Sequence, residues 1–221
     1  MSKQMSNEPM QIERTLIDHI QKSIKCAEMN KSALNSGAFD VPGFTSPKIR
    51  HLLNNLGKFP GFHYLEIGVH KGATFVAANE GNEFLSSIAV DNWSEFADGP
   101  DGAVRKEFLR HCKRLIKNKY TVYEQNCFSI TQDQIKNPIN LYLYDGAHDY
   151  ESQKKALTHF YPMLADEFVF MVDDWSWDDP QRGTRDAIAE LKPQIEFEAE
   201  LIDGWWNGFY ISLMRKTDAA A

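Results

Sequence analysis

The stretch LEIGVHKGATF, residues 65–75, decides the fold. Its apolar positions alternate with Glu66 and Gly68, a pattern typical of a buried strand that ends in a tight turn. Gly68 and Gly72 then bracket a short loop, and an apolar stretch over residues 73–78 follows. Because glycine accepts positive φ and lets a ligand approach the backbone closely, this strand, loop and helix start form a candidate ligand cradle.

The spacing of the loop argues against a dinucleotide site. It reads Gly-x-x-x-Gly, whereas a pyrophosphate is seated by G-x-G-x-x-G. Glu66 would also repel a diphosphate, but it would suit a cationic ligand. An ordinary strand-to-helix turn would explain the loop equally well, so its function depends on the residues that follow.

Composition excludes several classes of protein. The chain has 221 residues, 43% of them hydrophobic and 25% charged, which is ordinary for one globular domain with a sizeable core. The formal net charge is −7, and the absence of a Lys/Arg stripe argues against nucleic acid as the main partner. The apolar runs are too short to cross a bilayer, so no membrane association is expected.

The termini and cysteines predict a cytoplasmic protein. The first residues, MSKQMSNEPMQIER, contain no apolar segment of a secretory signal. The three cysteines, Cys26, Cys112 and Cys127, are scattered and lack C-x-x-C spacing, which predicts reduced thiols and no zinc site.

The chain is expected to divide into three parts. Residues 1–9 are polar and predicted to be a disordered tail, and residues 10–60 are predicted to be a helical cap. The segment NSGAFDVPGFTSP within the cap is predicted to be a loop. The cap would cover one face of the sheet, or act as a lid or a homodimer contact. The main domain is predicted over residues 61–216.

Strands alternate with helices through the main domain, which predicts an α/β fold with a mostly parallel central sheet and helices on both faces. The last two strands, within residues 197–216, have a short connection and are predicted to be antiparallel. The other strands are predicted within 65–69, 84–93, 120–128, 139–150 and 167–175, and a short helix is predicted over 184–191.

The residues at the ends of the predicted strands are nearly all polar, and they lie at the edge where ligands bind in such sheets. They are Glu66, Gly68, Asp91, Asn126, Asp145, His148, Asp173, Asp174 and Asp203. One aspartate after a strand is commonplace as a turn or cap residue. Aspartates after several consecutive strands are harder to explain in that way, and they predict a site.

Asp91 stands where an acid that binds ribose is expected, because a carboxylate can accept hydrogen bonds from two vicinal hydroxyls. Trp93 would stack on a purine or serve as a hydrophobic plug. Asp145, Asp173 and Asp174 should lie at neighbouring strand ends, where their charges repel unless a cation is present. We therefore predict a Mg²⁺ or other divalent site, with helix capping by an aspartate as the alternative.

His148 follows Asp145 by three residues and is a candidate general base, although a lone histidine is often structural. In this region the chain resembles a known family. The run YDGAHDYESQKKAL followed by FVFMVDDW is similar to class I S-adenosylmethionine-dependent methyltransferases, in particular the metal-dependent O-methyltransferases of the macrocin and catechol types. The glycine loop departs from that family's usual first motif because His70 occupies its middle glycine position.

The resemblance covers residues 45–215 and implies a Rossmann-like methyltransferase with a seven-stranded sheet. It implies that S-adenosylmethionine is bound by Glu66, Gly68, Gly72, Asp91, Trp93, Asn126 and Asp145. The metal would be bound by Asp145, Asp173 and Asp174, and catalysis would be carried by His148 and Asp145.

The implied reaction is methylation of a hydroxyl, preferably one of a vicinal pair, on a small molecule or saccharide. The aromatic cluster Trp175, Trp177, Trp205 and Trp206 is expected beside the site and suits a sugar or ring. Three alternatives remain open: a nucleotide- or dinucleotide-binding enzyme, a non-catalytic S-adenosylmethionine-binding module, and a methyltransferase that needs no metal.

Overall fold

The computed structural model describes residues 8–94 and 102–217, with the backbone alone for residues 8–15. Most of the predicted tail, residues 1–7, lies outside this part of the chain. The first helix, α1, spans Glu8–Glu28 and so begins inside the segment predicted to be disordered.

Two further helices complete the N-terminal region. Helix α3 spans Pro47–Leu56, and the Ser46 hydroxyl caps it by accepting a hydrogen bond of 3.2 Å from the backbone N–H of Ile49. The segment predicted as a loop contains a short helix, α2, over Ser36–Phe39. The glycine and serine residues of this segment favoured a loop, so the sequence did not predict the helix. Asn35 stabilises the helix because its side chain accepts a hydrogen bond from the backbone N–H of Ala38 at 2.9 Å.

The main domain is a seven-stranded sheet. Its strands are β1 His63–Ile67, β2 Ser86–Val90, β3 Thr121–Tyr123, β4 Ile139–Tyr144, β5 Leu164–Val172, β6 Gln194–Leu201 and β7 Phe209–Arg215. Their order across the sheet is β3-β2-β1-β4-β5-β7-β6. The first five strands are parallel, and β7 pairs antiparallel with both β5 and β6. The predicted α/β fold with an antiparallel C-terminal strand is confirmed.

The connecting helices are α4 Ala73–Asn79, α5 Ala103–Leu115, α6 Tyr150–Thr158 and α7 Asp178–Leu191. Helix α7 begins six residues before the predicted start at Thr184. Asp178 and Asp179 in its first turn suit the positive end of the helix, and Pro180 is tolerated there because its missing N–H would have no helical partner. The third strand is shorter than predicted, and residues Cys127–Ser129 form a 3₁₀ turn instead.

The sheet separates two hydrophobic cores. One contains α1, α3 and α4, with Ile20, Leu52 and Phe75 fully buried. The other lies under α6 and α7, with Leu157 and Phe160 fully buried. The N-terminal helices therefore cover one face of the sheet. Within the described part of the chain, no helix combines the length and apolar character needed to span a membrane.

Candidate active site

A cavity of about 700 Å³ opens at the carboxyl ends of the parallel strands. It is lined by the segments that follow β1, β2, β3, β4 and β5, together with residues 43–45 and Asn207. Its volume is in the range of small-molecule sites, and its place is where ligands bind in open α/β sheets. Of the predicted site residues, Gly68, Asp91, Trp93, Asn126, Asp145, His148 and Asp174 line it.

The glycine loop is fixed by close contact with the segment after β4. Gly68 has φ of +82°, and a Cβ atom there would lie 1.8 Å from the carbonyl oxygen of Asp145. Gly72 has φ of +92°, and a Cβ atom there would meet the Phe108 ring at 3.1 Å. Gly68 thus brings the first and fourth loops together at the cavity, whereas Gly72 packs against α5.

Glu66 is fully buried beneath the loop. Its carboxylate accepts a 2.6 Å hydrogen bond from the Thr74 hydroxyl and a second from the Tyr64 hydroxyl. Burial raises the pKa of Glu66 from 4.5 to about 7. Glu66 is not among the residues that line the cavity, so in this structure it joins β1 to the first turn of α4 and supports the loop from below.

The raised pKa of Glu66 predicts a pH-dependent stability. A carboxyl group with a higher pKa in the folded state than in the unfolded state stabilises the fold at low pH, and this stabilisation is lost as pH rises from about 4.5 through about 7. The rise corresponds to about 3 kcal/mol. We expect Glu66→Gln to be more stable than the parent at pH 8 and similar to it at pH 4.5. Unfolding in urea at both pH values measures the difference, and equal free energies at pH 8 would contradict it.

Asp91 organises the loop beside it. Its two carboxylate oxygens accept hydrogen bonds from the backbone N–H groups of His70, at 2.8 Å, and Trp93, at 2.7 Å. The Trp93 indole N–H donates to the carbonyl oxygen of His70 at 2.9 Å, and its ring packs 5.5 Å from that of Phe108. Asp91 and Trp93 therefore tie the second strand end to the glycine loop, a link that sequence spacing did not predict.

The segment after β3 supplies another wall. The Asn126 side chain accepts a hydrogen bond from the N–H of Phe128 at 2.8 Å and caps its own turn. Its neighbours Gln125, Cys127 and Phe128 also line the cavity. The sequence did not predict that these three residues line a cavity, because the segment was expected to continue as a strand.

Three aspartates lie near one another at the carboxyl ends of β4 and β5. Burial raises the pKa of Asp145 well above its usual range, and the charges of Asp173 and Asp174 raise it further. Burial also raises the pKa of Asp173, again with a contribution from Asp174. Their negative charges therefore act on each other, as predicted from the neighbouring strands.

The three carboxylates do not converge on one point. Asp173 is buried and its Oδ1 atom accepts a 2.9 Å hydrogen bond from the N–H of Asp174, while Asp145 and Asp174 line the cavity. Across residues 16–94 and 102–217, whose side chains the structure describes, no group of three His, Cys, Asp or Glu side chains is placed to hold a metal ion. The chemistry of the donors suits a hard cation, since carboxylate oxygens are the ligands that Mg²⁺ prefers. The predicted metal set remains a prediction.

His148 lies against Asp174 at the same end. Its Nδ1 atom is 3.4 Å from Oδ2 of Asp174, which is an ion-pair distance, and it makes no hydrogen bond within the described part of the chain. Its ring contacts that of Trp177 edge to face, with centroids 5.2 Å apart. Of the four predicted tryptophans, Trp177 lines the cavity and Trp205 is 88% exposed. Trp175 and Trp206 are buried in the cores, so the predicted four-tryptophan surface is not present.

Asp203, the last residue predicted from strand ends, is exposed in the turn between β6 and β7. It is not among the residues that line the cavity, but Asn207 from the same turn does line it. The turn contacts the β5–α7 connection, where the backbone N–H of Trp175 donates to the carbonyl oxygen of Gly208 at 2.9 Å.

Comparison with known families agrees with this geometry. Residues 65–175, just over half of the chain, match the family model described as a methyltransferase domain. The chain belongs to this methyltransferase family. The matched region begins in β1 and ends just after Asp173 and Asp174, so it contains the strand ends that form most of the cavity.

Solved structures share the methyltransferase's fold at low sequence identity. An O-methyltransferase from Bacillus cereus in complex with SAH is 12% identical, with a TM-score of 0.56 over 91% of each chain. A putative O-methyltransferase from Klebsiella pneumoniae is 13% identical, with a TM-score of 0.55 over 94% of this chain and 97% of the other. An SAH-bound methyltransferase from Podospora anserina is 13% identical, with a TM-score of 0.55 over 99% of this chain and 100% of the other. No curated protein matches the chain.

The residues that line the cavity of this methyltransferase are of the types needed to bind S-adenosylmethionine. Each Asp91 oxygen that accepts a backbone N–H keeps a further lone pair, so the carboxylate can still accept from ribose hydroxyls. The backbone of Gly68 borders the space directly, without a side chain between it and a ligand. These residues would hold the nucleoside and methionine parts of the cofactor.

We expect Asp91→Ala to weaken binding of S-adenosylhomocysteine by about 10–100-fold, since hydrogen bonds to a charged group contribute about 1.5–3 kcal/mol. Titration calorimetry measures the change. The exposed Asp133, after β3 and outside the cavity lining, supplies the control variant Asp133→Ala, which should bind like the parent. If the two variants bind equally well, Asp91 does not contact the cofactor.

Proposed function

We propose that this methyltransferase transfers the methyl group of S-adenosylmethionine to a hydroxyl of a small molecule or saccharide, preferably one of two vicinal hydroxyls. The observation that carries the proposal is the pairing of His148 with Asp174, beside Asp145, in the same cavity as Asp91 and the glycine loop. A proton acceptor thus shares one cavity with the residues suited to the methyl donor.

His148 would act as the general base. With Asp174 beside Nδ1, the neutral imidazole is favoured with its proton on Nδ1, which leaves Nε2 to accept the proton of the acceptor hydroxyl. Asp174 then stabilises the imidazolium that forms. The methyl group passes from the sulfonium sulfur to the hydroxyl oxygen, and the C–S bond electrons remain on sulfur, giving S-adenosylhomocysteine.

The cavity walls would supply alignment. Gly68 and Asp91 hold the donor at the ends of β1 and β2, while His148 and Trp177, after β4 and β5, line the same cavity. Holding oxygen, methyl carbon and sulfur in line accounts for much of the rate of a bimolecular displacement. The edge-to-face contact between Trp177 and His148 limits rotation of the imidazole.

A divalent cation, Mg²⁺ in the simplest case, is proposed at Asp145, Asp173 and Asp174. The support is their mutual charge repulsion, together with their position at the ends of the neighbouring strands β4 and β5. When bound, such a cation would lower the pKa of an acceptor hydroxyl. A metal-independent reaction is the second candidate, and the His148–Asp174 pair favours it because that pair can take up a proton unaided.

We expect Asp145→Asn to weaken Mg²⁺ binding and to raise the melting temperature of the metal-free protein, because one of three repelling charges is removed. Calorimetry with Mg²⁺ and thermal unfolding in EDTA measure the two effects. Asp133→Asn, at an exposed position outside the cavity lining, is the matched control and should change neither.

The function itself is tested by incubating the protein with S-adenosylmethionine and a panel of vicinal-diol sugars and catechols. Formation of S-adenosylhomocysteine that depends on the acceptor is the expected result. Turnover lost in EDTA and restored by Mg²⁺ supports the metal site, whereas turnover unaffected by EDTA selects the metal-independent candidate. No methyl transfer to any oxygen acceptor, with transfer to an amine or carbon acceptor instead, would contradict O-methylation.

A further inference from the structure

One wall of the cavity comes from outside the matched methyltransferase region. Residues Gly43, Phe44 and Thr45 line the cavity, although the family match begins only at residue 65. They belong to the connection between α2 and α3, in the part of the chain that covers one face of the sheet. This connection does more than cover the sheet, because it reaches the glycine loop.

The contacts of this segment are with the glycine loop and the helix that follows it. The Phe44 ring stacks on the His70 imidazole, with centroids 5.2 Å apart and planes 27° apart. A Cβ atom on Gly43 would lie 2.5 Å from Cβ of Ala73, the first residue of α4. Even a methyl group would not fit between them, so the segment lies in direct contact with the start of α4.

Arg50 fixes the base of the segment. It is only 8% exposed, and its guanidinium Nη1 donates to the carbonyl oxygen of Phe39 and, at 2.6 Å, to that of Val41. The guanidinium also lies 5.7 Å from the centre of the Phe39 ring. Burying a cation is costly, and the hydrogen bonds of Arg50 to the backbone of Phe39 and Val41 offset this cost. Both acceptors lie just before residues 43–45 in the chain.

Arg50 is held in place by its helix. It lies on α3, and Ile49, Leu52 and Leu53 of the same helix are buried in the core. Its planar guanidinium presents donors in a fixed geometry, which a lysine ammonium on a flexible chain would not reproduce. The position of residues 39–41, and hence of residues 43–45, is therefore coupled to the side chain of Arg50.

We propose that Arg50 is a positioning residue that holds Val41–Thr45 against the glycine loop, and that this segment is a wall of the pocket that binds S-adenosylmethionine. The inference rests on the proposed function of the cavity as a methyl-transfer site. The segment closes the side of the cavity formed by the glycine loop, through the contacts of Phe44 with His70 and of Gly43 with Ala73.

The contact between Gly43 and Ala73 allows a test by a double-mutant cycle. Gly43 does not have a left-handed backbone, so Gly43→Ala should perturb mainly this contact, by pushing the segment away from α4. We expect it to weaken binding of S-adenosylhomocysteine at least 10-fold by calorimetry. Ala73→Gly alone should change affinity less than threefold, and the double variant should recover to within about threefold of Ala73→Gly.

Two further variants separate positioning from general stability. Arg50→Lys keeps a charge but loses the planar donors, and it should weaken S-adenosylhomocysteine binding and raise the KM for S-adenosylmethionine more than it lowers kcat. Phe44→Ala removes a side chain that is 69% exposed, so the fold should persist while affinity falls. Trp205→Ala, at a residue 88% exposed and outside the cavity lining, is the matched control and should bind like the parent.

The outcomes distinguish this inference from the proposed function. A parent protein that fails to bind S-adenosylhomocysteine overturns both. A parent that binds, with Gly43→Ala and Phe44→Ala binding equally well, overturns the role of the segment and leaves the proposed function intact. Because Phe44 is exposed, its variant keeps the test decisive even where an Arg50 variant does not fold.

Discussion

Replacing His148 by alanine is expected to lower kcat by about 10²–10⁴-fold, the usual contribution of a general base. The physical reason is the placement of its imidazole beside Asp174, in the same cavity as the glycine loop and Asp91. Affinity for S-adenosylhomocysteine should stay within about twofold of the parent, because Gly68 and Asp91 remain in place. Steady-state turnover on an acceptor from the panel, together with calorimetry, measures both quantities.

A matched control strengthens the test of His148. The control is His63→Ala. His63 lies at the amino end of β1, outside the cavity lining, and its Nδ1 atom is hydrogen-bonded to the Ser86 hydroxyl at 2.8 Å. Near-parental turnover of His148→Ala would show that His148 is structural.

Gly68→Ala is expected to have the largest effect on stability. The residue has φ of +82°, and the added Cβ atom would lie 1.8 Å from the carbonyl oxygen of Asp145. Left-handed strain and overpacking together cost about 2–5 kcal/mol. The variant should also fail to bind S-adenosylhomocysteine under conditions where it is still folded, because the loops after β1 and β4 are forced apart.

Gly61→Ala is the matched control for Gly68→Ala. Gly61 also has a left-handed backbone, with φ of +88°, but a Cβ atom there would meet nothing within 4 Å. Gly61→Ala should therefore lower the free energy of unfolding only by the cost of left-handed strain, about 1–2 kcal/mol. Its affinity for S-adenosylhomocysteine should not change. Chemical unfolding of both variants measures the difference, and equal losses would show that contact with Asp145 is unimportant.

The topology of the sheet could be predicted because its signals are local. Strands β2, β4 and β5 each end in an apolar run that an aspartate follows directly, and β4 and β5 are adjacent as expected. The antiparallel pairing of β7 followed from the short connection through residues 202–208. The exact start of α7 could not be predicted, because Trp177 at its N-terminus makes no side-chain cap hydrogen bond.

The site was predictable only in part. Residues directly after strands, such as Asp91, Asp145 and His148, could be found because topology brings strand ends to one edge. Phe44 and Asn207 could not, since they reach the cavity through turns whose paths depend on tertiary contacts. Glu66 was predicted to contact the cofactor. The alternation of residues along β1 does not reveal that the hydroxyls of Thr74 and Tyr64 donate hydrogen bonds to its carboxylate.

Binding of S-adenosylhomocysteine compared with NAD is the most direct test of the central claim, that this cavity is an S-adenosylmethionine site. Titration calorimetry and thermal unfolding should be carried out on the parent protein with each compound in turn. We expect saturable binding of S-adenosylhomocysteine and a rise in melting temperature that grows with its concentration, while NAD has no effect. Stabilisation by NAD with no response to S-adenosylhomocysteine would contradict the claim and select the dinucleotide alternative.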